Sequence, residues 1–254
     1  MTNFEKQVIA ITGATGGIGS ATAQRVIDLG GRVVVCGSSS DKVNELVGRL
    51  GPNARGLAVD VTSLADNQAM VELAESEFGC LNGAFLNAGI EGRVAPFEQQ
   101  TDADWEQVFN VNFHGVRWGT QAVIPAIRRA GGGSIVITSS VAGVRGAAGL
   151  TPYVSSKHAL LGLMRSLCAE YGREGIRINT LNPGPVDNRM MRSIEEQTKP
   201  GEGEQVKQAF TARVPLGRYV SNAECAAMAC FLLSHEASGI SGNTYMVDGG
   251  YCAG

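Results

Sequence analysis

Tyr153 and Lys157 are the two residues whose types and spacing most directly suggest chemistry in this chain. A separation of four residues places both side chains on one face of a helix. A free tyrosine has a pKa of ~10, but a neighbouring ammonium group favours the phenolate and lowers that pKa. The pair therefore predicts a proton donor and acceptor for a carbonyl or alcohol oxygen. Taken alone, the same spacing also fits a half-exposed tyrosine beside a solvated lysine.

A glycine-rich turn lies between the first apolar run and the first helical stretch, and it reads Thr12-Gly13-Ala14-Thr15-Gly16-Gly17-Ile18-Gly19. Glycines let the backbone turn tightly and bring its N–H groups and the positive end of a helix against a phosphate. The turn therefore predicts a pyrophosphate site. The alternative is an ordinary tight turn between a strand and a helix.

The GxxxGxG spacing of this turn, together with further motifs, resembles the short-chain dehydrogenase/reductase family. The motifs follow in family order from residue 12 to about 188, and the chain ends in a family-like Val-Asp-Gly-Gly segment at residues 247–250. The further motifs are Asn87-Ala88-Gly89, Asn112-x-x-Gly115, Ser140, Tyr153-x-x-x-Lys157 and Pro183-Gly184.

The resemblance implies a catalytic set made of Asn112, Ser140, Tyr153 and Lys157. In the family, the hydroxyl at the position of Ser140 polarises the substrate carbonyl, whereas Ser139 would point to the opposite face of the strand. Lys157 would lower the pKa of Tyr153 and bind the nicotinamide ribose. Asn112 matches a position that holds a water behind Lys157, with Asn110 as a rival that lacks the family context.

The resemblance also implies a nicotinamide dinucleotide in the crevice at the ends of the strands. Asp60-Val61 resembles the pair that contacts the adenine ring, although an aspartate at a strand end is more often a cap. Asn188 stands where the family usually has a threonine against the carboxamide, so its amide is the expected substitute. The expected cofactor contacts are Gly13, Thr15, Gly17, Ile18, Gly19, Ser38, Ser39, Asp60, Val61, Asn87, Ala88, Gly89, Tyr153, Lys157, Pro183, Gly184, Val186 and Asn188.

The end of the second predicted strand, Cys36-Gly37-Ser38-Ser39-Ser40, bears on the choice between NADP(H) and NAD(H). An aspartate at position 37 would bind the ribose hydroxyls of NAD(H) and repel a 2′-phosphate, and Gly37 does neither. Hydroxyl and N–H groups accept a phosphate, though less strongly than an arginine does. The sequence therefore favours NADP(H), and NAD(H) remains possible.

The elements that must position these residues alternate along the chain between short β-branched runs and longer helical stretches. This alternation predicts a single doubly wound, Rossmann-like α/β domain over residues 1–254, with a seven-stranded, mostly parallel sheet and helices on both faces. The segment from Gly184 to Pro215 interrupts the alternation, so we expect a mobile substrate lid there at about residues 184–215. The expected strands are Val8–Thr12, Arg32–Cys36, Arg55–Val59, Leu81–Leu86, Ser134–Thr138, Ile176–Leu181 and Thr244–Val247, and the expected helices include Ile18–Leu29, Leu64–Phe78, Asp102–Arg129, Pro152–Gly172 and Asn222–Leu233.

Composition excludes several other classes of protein. A net charge of −3 without a basic cluster argues against nucleic-acid or anionic-membrane partners. No apolar run reaches the ~20 residues of a membrane span. The six cysteines and three histidines lack metal-ligand spacing, so we expect no metal, and scattered cysteines fit a reducing cytoplasm.

The leading prediction is an NAD(P)-dependent oxidoreductase (EC 1.1.1.-) that transfers a hydride between the cofactor and a ketone or secondary alcohol. Alternatives are a β-ketoacyl-carrier-protein reductase, with Arg129 and Arg173 docking an acidic carrier beside the cleft, and a non-catalytic NADP-binding sensor or scaffold. The resemblance implies a homotetramer or homodimer. The residues expected to line a small-molecule substrate pocket are Met190, Met191, Ile194, Val206 and Phe210, with Val144, Arg145 and Leu150 as another wall.

Overall fold

The computed structural model describes residues 2–253 and shows one parallel sheet of seven strands in the order β3-β2-β1-β4-β5-β6-β7. Each neighbouring pair of strands is parallel, which confirms the predicted fold class. The strands are β1 (Val8–Thr12), β2 (Arg32–Gly37), β3 (Ala54–Ala58), β4 (Gly83–Leu86), β5 (Gly133–Thr138), β6 (Ile176–Pro183) and β7 (Thr244–Val247).

Helices cover both faces of the sheet because strand side chains alternate between the faces. The helices are α1 (Gly17–Asp28), α2 (Ser40–Leu50), α3 (Leu64–Phe78), α4 (Asp102–Phe109), α5 (Gly115–Arg129), α6 (Thr151–Tyr171), α7 (Arg189–Thr198), α8 (Gly203–Thr211) and α9 (Asn222–Leu233). In β1, Val8 and Ala10 pack under α3, α5 and α6, whereas Ile9 and Ile11 pack under α1, α2 and α9. No helix within residues 2–253 is long and apolar enough to cross a membrane.

The predicted helix Asp102–Arg129 is interrupted near its middle. A wider, π-helical turn at Asn110–His114 separates α4 from α5. Such a turn holds one residue more than a regular helical turn and is frequent at functional sites. Its central residue is Asn112, whose side chain is fully buried.

Helix starts agree with the sequence in part. Reciprocal capping boxes form at Thr101 and Ser221, as their spacing predicts. The Ser63-x-x-Asp66 spacing also predicts a capping box, but the box is incomplete because the Asp66 carboxylate accepts from the Asp60 N–H and not from the Ser63 N–H. The Thr151-Pro152 pair predicts an N-cap hydroxyl followed by proline at the first helical position, but α6 begins at Thr151 itself and Leu150 is the N-cap, so this prediction is wrong.

Arg129 and Arg173 lie at the edge of the sheet opposite the crevice. Arg129 ends α5 just before β5 begins, and Arg173 precedes β6, so both stand at the amino ends of strands. The Arg129 guanidinium also forms a 2.7 Å ion pair with Glu75. The expectation that these two arginines lie beside the cleft is therefore wrong, and docking of a carrier by them remains a prediction.

Candidate active site

A cavity of about 870 Å³ opens at the carboxyl ends of the strands. It extends from the glycine turn after β1 to the first turns of α6, and the segment 184–215 contributes a wall. Open parallel sheets bind their ligands at this edge. The cavity brings together Gly13, Thr15, Gly17, Ile18, Ser38, Asn87, Ala88, Gly89, Ser140, Tyr153, Lys157, Pro183, Gly184, Val186 and Asn188 from the predicted set.

The glycine turn presents the bare start of α1 to the cavity. Its N-cap residue, Gly16, has no side chain to cap the helix, and the first turn carries no acidic residue. Gly13 has a φ of +61°, and a Cβ there would lie 2.8 Å from the Ala88 Cα. Free N–H groups at the positive end of a helix, beside a closely packed glycine, fit a pyrophosphate.

Asn87 joins the glycine turn to the centre of the sheet. Its backbone N–H donates to the Thr12 hydroxyl at 3.0 Å, and its side-chain amide donates to the Gly13 carbonyl at 3.3 Å. The Thr138 hydroxyl, at the end of β5, donates to the Asn87 side-chain oxygen at 3.0 Å. Asn87 therefore fixes the turn relative to the strand that leads to Ser140.

Ser140, Tyr153 and Lys157 meet at the other end of the cavity. The Ser140 hydroxyl is hydrogen-bonded to the Tyr153 side chain and accepts from the Ala142 N–H at 3.1 Å. The Lys157 ammonium donates to the Thr138 carbonyl at 2.9 Å and lies 5.6 Å from the centre of the Tyr153 ring. The three side chains are nearly buried, yet they face the cavity.

Burial dominates the proton affinities of this group. It raises the pKa of Tyr153 above its usual value, while the hydrogen bond with Ser140 lowers it and the Glu91 carboxylate raises it further. Burial lowers the pKa of Lys157 to about 8. The sequence predicts a lowered pKa for Tyr153, but the protein without its cofactor raises this pKa, so Tyr153 keeps its proton at neutral pH.

The two neighbouring serines have different surroundings. Both serines line the cavity, but the Ser139 hydroxyl donates to the Lys157 carbonyl at 3.0 Å and so supports the helix. The Ser140 hydroxyl is beside Tyr153. This contrast is consistent with Ser140 as the reactive one.

Asn112 lies just outside the cavity wall. Its side chain accepts from the Ile90 N–H at 2.8 Å and donates to the Ile90 carbonyl at 3.0 Å. A Cβ on Gly89 would lie 3.2 Å from the Asn112 oxygen and 3.4 Å from the Lys157 nitrogen, so these three residues are closely packed. Its role in holding a water remains a prediction.

Several expected residues do not line the cavity. Ser39 caps α2, and Gly19 packs against the Gly13 carbonyl inside the turn. The Asp60 carboxylate accepts from the Thr62 N–H at 2.9 Å, and Val61 packs on Gly115, so an adenine contact for either remains a prediction. The remaining residues outside the cavity wall are Val144 and Val206.

Comparisons with known proteins point in the same direction as the geometry. The family profile described as enoyl-(acyl carrier protein) reductase matches residues 13–252. The chain belongs to the short-chain dehydrogenase/reductase family. As a member, it is an NAD(P)-dependent oxidoreductase that transfers a hydride between the cofactor and a ketone or secondary alcohol.

Three relatives illustrate the similarity. Levodione reductase of Leifsonia aquatica is 35% identical over 99% of this chain and 96% of its own, and cyclohexanol dehydrogenase of Acinetobacter sp. (strain SE19) is 38% identical over 98% and 96%. A crystal structure of levodione reductase superposes with a TM-score of 0.95 at 34% identity, covering 99% of both chains. The 3-ketoacyl-(acyl-carrier-protein) reductase of Brucella melitensis, complexed with NADH, gives 0.88 at 28% identity over 97% and 98%.

Asn188, at the position where this chain departs from the family motif, caps a helix. Its side-chain oxygen accepts from the Met190 and Met191 N–H groups and so caps α7. Its amide nitrogen donates to the Asn222 side chain at 3.4 Å, and Asn222 also covers the glycine turn, since a Cβ on Gly17 would lie 2.5 Å from its oxygen. The proposed carboxamide contact competes with these bonds.

Sequence reasoning missed several cavity residues of this family member. Lys42 lines the wall near Ser38, but it lies on α2, which no motif marks. Asn222 does not line the cavity, but its side chain covers the glycine turn at Gly17, and it was missed as well. On the substrate side, the cavity wall also contains Arg189, Arg213 and Tyr251, which the sequence did not mark as site residues.

Proposed function

We propose that Tyr153 is the general acid and base of the reaction, and that Ser140 and Tyr153 together bind the substrate oxygen. The hydrogen-bonded Ser140–Tyr153 pair at the cavity wall carries this proposal. The cofactor supplies or accepts the hydride when bound. During reduction Tyr153 donates its proton to the oxygen as negative charge develops, and Ser140 donates a hydrogen bond to the same atom.

The electrostatics support proton donation at neutral pH. A buried phenol with a raised pKa is protonated, which is the form that carbonyl reduction needs. The Lys157 ammonium stands beside the ring and stabilises the phenolate that forms. The reverse reaction, alcohol oxidation, needs the phenolate and therefore a higher pH.

We infer that NADP(H) is preferred and NAD(H) is the weaker alternative. Ser38 and the cationic Lys42 share the cavity wall near the end of β2, where a 2′-phosphate would meet a hydroxyl and an ammonium. Gly37 offers no carboxylate to the ribose. The Brucella relative complexed with NADH keeps NAD(H) in consideration.

The remaining proposals concern the setting of the enzyme. We propose a homotetramer or homodimer in the cytoplasm, with the segment 184–215 acting as a mobile lid over the substrate. The lid contains α7 and α8, and Asn188 caps its first helix.

A β-ketoacyl-carrier substrate is the second candidate, supported by the likeness to the Brucella reductase. Titration with an acidic acyl-carrier protein separates it from a small-molecule substrate.

The test of Tyr153 is the substitution Tyr153→Phe, which removes the hydroxyl and keeps the ring. We expect kcat to fall by ~10²–10⁴, because general acid–base catalysis contributes that much, while the cofactor Kd changes little. Tyr171→Phe, at the far end of the same helix, is the matched control and should keep wild-type kcat. More than a tenth of wild-type kcat in Tyr153→Phe would remove Tyr153 from this role.

A further inference from the structure

The wall of the cavity is positively charged, and part of that charge lies away from the glycine turn. Its wall includes five cationic side chains and, among the described residues, no aspartate or glutamate. Lys42 lies near Ser38, and Lys157 belongs to the catalytic group. The other three, Arg145, Arg189 and Arg213, lie on segments that follow the catalytic strands β5 and β6.

Arg189 already has a partner. Its guanidinium forms an ion pair with Glu91 at 3.3 Å, and the Glu91 residue is 7% exposed. This bridge joins the start of α7 to the loop after β4. The charge of Arg189 is therefore largely balanced within the protein.

Arg145 and Arg213 converge on one aromatic ring instead. Their guanidinium carbons lie 4.5 Å and 5.7 Å from the centre of the Tyr251 ring. Cation–π contact offsets part of the repulsion between two such cations, but it does not neutralise them. Within residues 2–253, neither guanidinium has a carboxylate at ion-pair distance.

The turn that carries Tyr251 is well fixed. The Asp248 carboxylate accepts from the Gly250 and Cys252 N–H groups, each at 2.9 Å. Arg145 is half-buried and donates to the Tyr251 carbonyl at 3.0 Å. The Arg145 guanidinium is thus held in position beside the cavity and retains further N–H groups to donate.

An apolar region lies beside Tyr153 in the same cavity. Leu150, Tyr153 and Ile194 form a buried cluster against which Met190 and Met191 pack. The cavity that holds Ser140 and Tyr153 therefore also offers apolar side chains against which part of a substrate can pack.

We propose that the natural substrate is a keto acid or hydroxy acid whose carboxylate binds Arg145 and Arg213. Its apolar middle packs on the cluster beside Tyr153, and its carbonyl or alcohol lies at Ser140. The planar fork of a guanidinium matches a carboxylate in geometry and charge. This inference rests on the proposed function of Ser140 and Tyr153.

The experiment compares straight-chain methyl ketones that end in a carboxylate, from levulinate upward, with their methyl esters. For the best acid of the series we expect wild-type kcat/KM to exceed that of its ester by at least tenfold, mostly through KM. Arg145→Gln and Arg213→Gln should each reduce this acid-to-ester ratio at least fivefold. Arg165→Gln, an exposed arginine outside the cavity, is the control and should keep the wild-type ratio.

A binding measurement separates failure of this inference from failure of the proposed function. Saturated carboxylates of matching length, which lack the ketone, are titrated calorimetrically into the protein with NADP⁺ present. Wild type should bind them and both arginine variants should bind at least fivefold more weakly, whether or not turnover occurs. Equal use of acid and ester, or no carboxylate binding by wild type, overturns the acid site. Reduction of the esters that disappears in Tyr153→Phe would still support the proposed function.

Discussion

Replacement of Lys42 by glutamine should weaken the use of NADPH and leave NADH nearly unaffected. Lys42 is exposed at the cavity wall near Ser38, so its charge acts through water. Two unit charges ~4 Å apart in water attract by about 1 kcal/mol, and a 2′-phosphate carries nearly two charges at neutral pH. Screening by salt reduces the sum. We therefore expect kcat/KM for NADPH to fall about tenfold, since ~1.4 kcal/mol corresponds to a factor of ten.

The assay measures kcat/KM for NADPH and NADH in wild type and variants at low and at high salt. Lys42→Arg keeps the charge and is the matched control, so it should keep the preference. The loss in Lys42→Gln should shrink at high salt because the attraction is screened. A wild type that prefers NADH more than tenfold, or a Lys42→Gln variant that loses NADPH and NADH equally, would refute the reasoning.

Gly37→Asp tests the same preference from the opposite side, but the structure adds a steric condition. A Cβ at position 37 would lie 2.9 Å from the Thr15 hydroxyl oxygen, so any side chain crowds that residue. Gly37→Ala is therefore the necessary control. Only a loss of NADPH use in Gly37→Asp beyond that in Gly37→Ala reports repulsion between the carboxylate and the phosphate.

Three further predictions concern the catalytic end and the glycine turn. Reduction needs protonated Tyr153, and burial raises the pKa of Tyr153, so the rate of reduction should fall only as the pH rises through that pKa. The rate of oxidation should rise over the same pH range. Coincident pH profiles for the two directions would contradict a single titrating group. Ser140→Ala should lower kcat by ~10², whereas Ser139→Ala should largely spare kcat, although each substitution removes a buried hydrogen bond and should lower Tm. Initial rates and thermal melts measure the two effects, and the opposite ranking of kcat would exchange the roles of the two serines. Asn222→Ala should raise the cofactor Kd several-fold, because its side chain covers Gly17; calorimetry showing wild-type affinity would exclude that role.

The positions of the strands along the chain and the pairing of Tyr153 with Lys157 on one helix could be predicted because they depend on local patterns, whereas the other expected site residues came from the family motifs. Buried parallel strands appear as short β-branched runs, and the Tyr153–Lys157 spacing belongs to one helix. The boundaries shifted by a residue or two, as for β3, which spans Ala54–Ala58 rather than Arg55–Val59.

The rest depends on contacts between distant segments, which no local pattern reveals. The π-helical turn at Asn110–His114 has no marker in the hydrophobic period, since one extra residue leaves both flanking helices amphipathic. Lys42 and Tyr251 reach the cavity only through tertiary packing. Arg129 and Arg173 were misplaced because residue type alone does not indicate the edge of the sheet on which a loop lies.

The π-helical turn has a consequence for insertions and deletions in this chain. A regular helix advances about 100° per residue, so a single deletion normally rotates everything beyond it away from its partners. Here one residue is already in excess between α4 and α5, and removing it would regularise the helix. The flanking helices would remain in phase with their neighbours, while Asn112 would lose its position beside Ile90 and Gly89. Deletion of a single residue in this turn would thus preserve the fold but remove the packing of Asn112 behind the catalytic group.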